Sequence, residues 1–156
     1  MLSLQSEYPE GLEWTNFKPY GSQGNLGDAY VFEGGAIKGA RSGVGCAAFC
    51  FILSDRTFPG LPARVLDSFE YEDLKVGDFL RINNSHFVTI LQISPGGIIV
   101  AEGNYNKSVH WGRAISRTEV MANTNFVVTR YPVGYSESFD ANEELANGVD
   151  GTISWS

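Results

Sequence analysis

Residues 43–53 read GVGCAAFCFIL, and this stretch decides the fold. A glycine-rich segment ends there, and all eight residues from Cys46 to Leu53 are apolar or small. Such a run places apolar side chains on nearly every side of a helix, which is typical of a helix buried inside a domain. We therefore predict a buried helix over residues 43–54, ended by the Pro-Gly pair at 59–60.

From residue 74 onward, the pattern changes to short apolar runs separated by turn residues, which indicates strands. The SPGG sequence at 94–97 predicts a hairpin between the second and third runs. SRTEVMAN at 116–123 predicts a short helical turn, because its serine is a helix cap and a glutamate follows three positions later. The sequence therefore predicts an α+β fold in which the buried helix packs on a five- to six-stranded antiparallel sheet. The five predicted strands lie within LKVGDFLRINN (74–84), HFVTILQI (86–93), GIIVAEGNY (97–105), VHWGRAI (109–115) and NFVVTRY (125–131).

The two ends of the chain differ in composition from its middle. The residues before Cys46 are rich in glycine and aromatic side chains, so we expect loops with aromatic anchors and little regular structure there. Residues 134–156 begin acidic and end on the apolar fragment TISWS. We expect one domain over residues 1–133, followed by an acidic linker and the start of a further module. The chain is then one module of a longer protein whose secretion signal lies upstream.

Composition and charge argue against some classes of partner. The formal net charge is −7, but the acidic residues after residue 130 carry most of it, so the body of the chain is nearly neutral. The 11 Lys and Arg residues are scattered instead of clustered, which argues against nucleic acid. No run approaches the ~18 apolar residues of a membrane-spanning helix. We expect a monomer with no nucleic-acid partner and no membrane span.

The two cysteines lie one helical turn apart and differ in their expected chemistry. Cys46 falls in the first turn of the predicted helix, where unpaired backbone N–H groups and the positive end of the helix dipole stabilise a thiolate. Cys50 lies one turn further inside, where a thiol is inert core filling. Two cysteines four residues apart in a helix lack disulfide geometry, so we expect two free thiols. Cys46 is therefore the candidate nucleophile.

A thiol nucleophile needs a base, a group that orients the base, and donors for the oxyanion. His86 opens the second predicted strand, and the hairpin at 94–97 brings the far end of the third strand beside it. Glu102 and Asn104 both lie at that end. A change of register by one residue moves a side chain to the other face of a sheet, so both stay candidates for orienting His86, with Glu102 favoured. The backbone N–H of Cys46 and a polar group of the preceding glycine-rich segment are the expected oxyanion donors.

A metal site is a competing interpretation of some of these residues. Cys46, Cys50, His86 and His110 are in principle a two-cysteine, two-histidine zinc set. Their spacing is not that of a zinc finger, and a helix buried on all sides gives a metal poor access. His110 is more simply a surface histidine at a strand end. We expect no metal and no cofactor.

The order of these motifs resembles the CHAP branch of the NlpC-like, papain-fold cysteine amidases and peptidases. The likeness covers about residues 40–132. It implies that Cys46 is the nucleophile, His86 the base, Glu102 the group that orients His86, and Asn104 an auxiliary polar group. The segments that carry the resemblance are GxGCxxF (43–49), LKVGDFLR (74–81), SHFVTIL (85–91), VAEGNYN (100–106), VHWGR (109–113) and the final RYP (130–132).

The resemblance also implies an activity. It implies a hydrolase that cleaves an amide bond through a thioester, with peptide or peptidoglycan substrates, in an extracellular or cell-surface protein. Residues 8–20 and the terminal GTISWS also look like parts of bacterial surface proteins. This chain departs from the family at Ser85, where glycine usually precedes the histidine. The alternative from another class is a cell-surface binding module that keeps the fold without turnover.

Overall fold

A computed structural model describes residues 2–15 and 30–132 of the chain. The expected linker and further module at 134–156 lie outside the described residues. The elements in chain order are α1 (Leu2–Glu7), β1 (Tyr30–Val31), β2 (Ser42–Gly43), α2 (Gly45–Thr57), β3 (Arg64–Leu66), a 3₁₀ helix (Tyr71–Asp73), β4 (Phe79–Ile82), β5 (His86–Ser94), β6 (Gly97–Tyr105), β7 (Ser108–Ser116), α3 (Arg117–Asn123) and β8 (Thr124–Thr129).

The main sheet has six antiparallel strands in the order β3-β8-β4-β5-β6-β7. All five predicted strands are present, so the predicted α+β fold with an antiparallel sheet is confirmed. The sixth strand, β3, is not among those predicted, because three residues are too few to show an alternating pattern. It joins the sheet by pairing with β8, with Val65 opposite Val128.

The hairpin between β5 and β6 lies where the SPGG sequence predicts it. β5 ends at Ser94 and β6 begins at Gly97, with Pro95 and Gly96 in the turn. A Cβ atom at Gly97 would lie 2.5 Å from the carbonyl oxygen of Ile115 on β7. Glycine is therefore needed there, because a side chain at this position would prevent β7 from pairing closely with β6.

The predicted buried helix is α2, with shifted ends. It begins at Gly45 instead of residue 43, because Gly43 belongs to β2, which pairs with β1. It continues to Thr57, past the predicted end. The extra turn holds Asp55, whose carboxylate accepts a hydrogen bond from Arg130 Nη1 at 2.8 Å. Arg130 is distant in sequence, so the local pattern does not reveal this contact.

Both faces of the sheet are covered by apolar packing. α2 lies across β5 and β6, and every residue from Ala48 to Asp55 is buried. Burying a Phe or Leu side chain contributes about 1.5–3 kcal/mol, so this helix supplies much of the core energy. The opposite face is covered by α3 and the 3₁₀ helix, through Val120 and Tyr71. The predicted cap of α3 is confirmed, since Ser116 Oγ accepts the N–H of Glu119 at 3.2 Å.

The N-terminal segment is more regular than predicted. It forms α1 and then pairs with the outer edge of β7, where Glu13 lies opposite Ser108. The N–H of Gly11 donates to the carbonyl of Val109 at 2.9 Å, and the N–H of Val109 donates to the carbonyl of Leu12 at 2.8 Å. The prediction of little regular structure is thus wrong for these residues. Their pairing partner is almost a hundred residues away, which a local pattern does not show.

Candidate active site

The first turn of α2 presents Cys46 with unpaired backbone donors. The helix starts at Gly45, whose φ of 59° lies in the left-handed region that favours glycine. The residue before it, Val44, has no side-chain oxygen and makes no capping hydrogen bond. No capping side chain therefore competes for the N–H groups at this helix start, the N–H of Ala47 bonds to Cys46 itself, and the helix dipole adds to the effect on an anion. Cys46 is a partly exposed residue, which suits a nucleophile.

The turn between β4 and β5 places His86 at the site. Asn83 and Asn84 in this turn have φ of 51° and 52°, a conformation that asparagine tolerates better than most residues. The N–H of Asn83 donates to the carbonyl of Asn123, which anchors the turn. His86 then pairs with Ile82 as the first residue of β5. The carbonyl of the preceding residue, Ser85, lies 3.9 Å from Cys46 Sγ, so the strand start and the helix start meet here.

Glu102 is the carboxylate that contacts His86. Its Oε1 lies 2.8 Å from His86 Nε2, and its side chain is 0% exposed. Thr89 on β5 pairs with Ala101 on β6, so the same register places Glu102 opposite Val88 and diagonally across from His86, within reach of its long side chain. Because Glu102 occupies Nε2, the ring nitrogen Nδ1 is the one left for Cys46. The structure thus brings the three residues together in the order Cys46, His86, Glu102.

Arg113 is a site residue that the sequence interpretation missed. Its Nε and Nη2 donate to the two oxygens of Glu102 at 2.7 Å and 2.9 Å, a bidentate pair. A β-bulge makes this contact possible. Val100 pairs with Arg113 and Ala101 with Trp111, so Gly112, with φ of 109°, is the extra residue. The glycine in VHWGR is the signal in the sequence that predicts such a bulge.

The pKa values of these groups shift toward a thiolate and an imidazolium. Burial acts to raise the pKa of Cys46, but the hydrogen bond from His86, the N–H of Phe87 and the charge of His86 outweigh it and lower that pKa. Burial acts to lower the pKa of His86, but Cys46 and Glu102 outweigh it and raise that pKa to about 9. Both shifts favour the thiolate–imidazolium pair over the neutral thiol and imidazole.

The pKa of Glu102 moves in the direction that keeps it charged. Burial acts to raise this pKa, and the hydrogen bonds from His86 and Arg113 outweigh burial and lower it. The carboxylate stays ionised although its side chain is sealed from solvent, because two cationic partners hold it. It therefore presents a fixed negative charge to the imidazole ring.

Cys50 differs from Cys46 in every respect that matters for reactivity. It is 0% exposed, and burial raises its pKa well above the ordinary value. Both cysteines are free thiols, as predicted. A buried thiol with a raised pKa is a poor nucleophile, so the chemistry of this site falls to Cys46.

Asn104 lies near the site but is not joined to it by a hydrogen bond. It is the second residue after Glu102, within the irregular end of β6, and its φ is 55°. Within the described residues, its side chain makes no hydrogen bond to His86, whereas Glu102 does. Of the two candidates for orienting the imidazole, the one in contact with it is therefore Glu102.

The four residues of the zinc alternative do not surround one point. His110 Nδ1 contacts Glu10 Oε2 at 2.8 Å, and its ring stacks on Tyr105 with 4.7 Å between centroids. Cys50 is a residue of α2, and its side chain is fully buried in the core. Within residues 2–15 and 30–132, no group of three or more His, Cys, Asp or Glu side chains is arranged to hold a metal ion.

Comparison with known proteins gives no relative for this chain. No family model, no curated protein and no solved structure matches it. Among the described residues, no helix combines the length and the apolar character that crossing a membrane requires.

Proposed function

We propose that this chain is a papain-like thiol hydrolase of the CHAP and NlpC type that cleaves an amide bond in peptidoglycan peptides. The observation that carries the proposal is the continuous set of contacts from Cys46 through His86 to Glu102. Each member has the protonation state that the chemistry needs: a thiolate favoured by its surroundings, a cationic imidazole and an ionised carboxylate. The resemblance of the motifs supplies the substrate class.

In the first half of the reaction, the Cys46 thiolate attacks the carbonyl carbon of the amide and a C–S bond forms. The electron pair of the carbonyl moves to its oxygen, where the N–H groups of the first turn of α2 stabilise the negative charge. The His86 imidazolium then donates its proton to the amide nitrogen, the C–N bond breaks, and the amine leaves. The result is a thioester on Cys46.

In the second half, water releases the product acid. His86, now neutral, takes a proton from the water as its oxygen attacks the thioester carbonyl. The C–S bond breaks and the thiolate and imidazolium pair forms again. Glu102 remains ionised throughout, since Arg113 holds both of its oxygens, and it keeps the His86 ring in one orientation. No metal or cofactor takes part in this proposed scheme, and a monomer is sufficient for it.

The proposed setting is extracellular or at the cell surface, where peptidoglycan peptides are found. This follows from the resemblance alone.

The first experiment measures the rate of iodoacetamide alkylation at each cysteine by peptide mapping between pH 4 and 9. We expect Cys46 to react fast well below the ordinary thiol pKa of about 8.5, and Cys50 to stay inert. The substitution His86→Ala is expected to remove the advantage at low pH. If Cys46 reacts no faster than Cys50, the ion pair does not exist and the proposal fails.

The second experiment follows the cleavage of purified peptidoglycan by mass spectrometry of the released muropeptides. We expect Cys46→Ala to abolish release and Cys50→Ala to retain it. Equal activity of the two variants would contradict the assignment of the nucleophile. A reactive Cys46 with no cleavage, together with retained binding to peptidoglycan in pull-down, would identify a binding module instead.

A further inference from the structure

Trp14 lies directly behind the nucleophile, in the N-terminal segment that pairs with β7. Its side chain is 0% exposed, and its indole Nε1–H donates to the carbonyl oxygen of Gly45 at 2.8 Å. Gly45 immediately precedes Cys46. The N-terminal segment therefore contacts the peptide unit that joins Gly45 to the proposed nucleophile.

The contact fixes the direction of one particular backbone donor. The carbonyl of Gly45 and the N–H of Cys46 belong to the same planar trans peptide unit, so their directions are opposite and rigidly linked. A hydrogen bond that holds the oxygen also holds the N–H. This N–H is one of the donors proposed above for the oxyanion. A donor on the carbonyl oxygen also polarises the unit, which makes its N–H a stronger donor.

Trp14 is held in place on several sides. The backbone N–H of Trp14 donates to the carbonyl of Lys107 at 2.9 Å. The ring meets Tyr8 and Phe49 edge to face, with 5.7 Å and 5.3 Å between ring centroids. A Cβ atom at Gly103 would lie 2.9 Å from Nε1, so the strand that carries Glu102 makes room for the ring immediately after that residue. Trp14 is thus wedged between the strand of the carboxylate and the helix of the nucleophile.

We propose that Trp14 is a positioning residue that fixes and polarises the Gly45–Cys46 peptide unit, so that the N–H of Cys46 points at the oxyanion formed during acylation. This inference rests on the proposed thiol hydrolase function. It predicts a specific defect, because thiolate formation depends on His86 and Glu102, whereas oxyanion stabilisation depends on the peptide unit that Trp14 holds. The proposed role of Trp14 is to position a donor through the Gly45 carbonyl.

Two small reagents separate these two requirements. Iodoacetamide reacts with the thiolate by displacement at a CH₂ group, and no oxyanion forms. p-Nitrophenyl acetate acetylates the thiolate through a tetrahedral oxyanion, which collapses as the C–S bond is kept and nitrophenolate leaves with its electron pair. The ratio of the two rate constants at Cys46 therefore reports the oxyanion site alone, and Cys46→Ala gives the background for both.

The test compares Trp14→Phe with Trp111→Phe in the full chain. Phenylalanine keeps an aromatic ring but removes the N–H. Trp111 is a matched control, since its Nε1 donates to the carbonyl of Tyr8 at 2.7 Å and its ring also meets Phe49 edge to face. We expect Trp14→Phe to lower the rate of acetylation by about tenfold or more while the rate of alkylation is unchanged. We expect Trp111→Phe to change neither rate.

The outcomes distinguish failure of this inference from failure of the proposed function. A wild-type Cys46 that lacks fast alkylation overturns the proposed function and the inference with it. Fast alkylation with an unchanged rate ratio in Trp14→Phe overturns the inference alone, and so does an equal fall in both rates, which would mean that Trp14 only packs. If Trp14→Phe does not fold, benzothienylalanine at position 14, which replaces the indole N–H by sulfur at nearly constant shape, gives the same comparison.

Discussion

Two buried carboxylates lie near opposite ends of α2, and their partners differ in exposure. At the N-terminal end, Glu102 is bound by His86 and Arg113, whose side chains are 23% and 29% exposed. At the C-terminal end, Asp55 is bound by Arg130, whose side chain is 1% exposed. The carboxylates themselves are equally sealed, at 0% and 2%. The difference lies in whether the cationic partner reaches solvent.

This difference assigns separate roles to the two groups. Asp55 also accepts hydrogen bonds from the hydroxyl of Tyr30 and from the N–H groups of Glu33 and Gly34. It therefore ties the segment around β1 to α2 and, through Arg130, to the end of β8. Glu102 instead binds an imidazole that faces solvent and can exchange its proton. We call the hydrogen bonds around Asp55, whose partner Arg130 is buried, the sealed network, and those around Glu102, whose partners reach solvent, the open network. The sealed network stabilises the fold, and the open network adjusts the protonation of a reactive group.

The largest effect on folding is expected from opening the sealed network. Asp55→Ala leaves Arg130 buried without its counter-charge, and we expect a loss of about 3–5 kcal/mol in the free energy of unfolding. Urea denaturation followed by circular dichroism measures it. The control is Arg56→Gln, which removes an exposed pair with Glu7 from the next position in the same helix and should cost less than about 1 kcal/mol. Similar losses in both variants would show that the network at Asp55 is not what holds the fold.

In the open network, a substitution of the carboxylate is expected to lower turnover strongly and stability only slightly. Glu102→Gln keeps the size of the side chain but removes the charge that stabilises the imidazolium, so we expect turnover to fall by about 10²-fold. We expect little loss of stability, because His86 and Arg113 can regain water. Steady-state kinetics and urea denaturation of the same preparation measure both quantities. A large loss of stability with full activity per folded molecule would reverse the roles assigned to the two carboxylates.

Local sequence patterns predict the elements of this fold well. The buried helix, the five longer strands, the SPGG hairpin and the cap of α3 all follow from spacing along a few adjacent residues. β3 and the pairing of residues 11–14 with β7 do not, because their partners are distant in sequence and they have little pattern of their own. For the same reason, the end of α2 is placed too early, since Arg130 is needed to explain why Asp55 stays helical.

The candidate site shows the same limit. Cys46 and His86 follow from the ends of predicted elements, and the hairpin brings Glu102 near. The choice between Glu102 and Asn104 requires the register, which the bulges in β5 and β6 alter. Arg113 and Trp14 were missed because each reaches the site through a feature of tertiary structure, a bulge at Gly112 and a docked N-terminal segment.

Substitution of Arg113 is expected to lower turnover less than substitution of Glu102. It tests the same network through the partner of the carboxylate. Arg113→Met removes both hydrogen bonds to Glu102, and we expect turnover to fall by about tenfold because the carboxylate no longer orients His86 as firmly. Arg113→Lys keeps the charge but not the two parallel bonds, so an intermediate rate is expected. Arg117→Met, which removes an exposed pair with Glu72, is the control and should leave turnover unchanged. Equal rates for the Lys and Met variants would show that orientation, and not charge alone, is what Arg113 supplies; wild-type rates for both would remove it from the site.

The smallest expected effect is a shift in the pH profile. The ion pair exists above the lowered pKa of Cys46 and below the raised pKa of His86, so alkylation by iodoacetamide should begin below the ordinary thiol pKa and the imidazolium should be lost at about pH 9. Glu102→Gln removes a negative charge that favours the imidazolium, so the His86 titration should move to lower pH. Proton NMR resolves it, because the chain has only two histidine resonances to assign. If the His86 resonance titrates unchanged in Glu102→Gln, Glu102 does not adjust the pKa of His86. Glu102 would then not differ from Asp55 in chemical role.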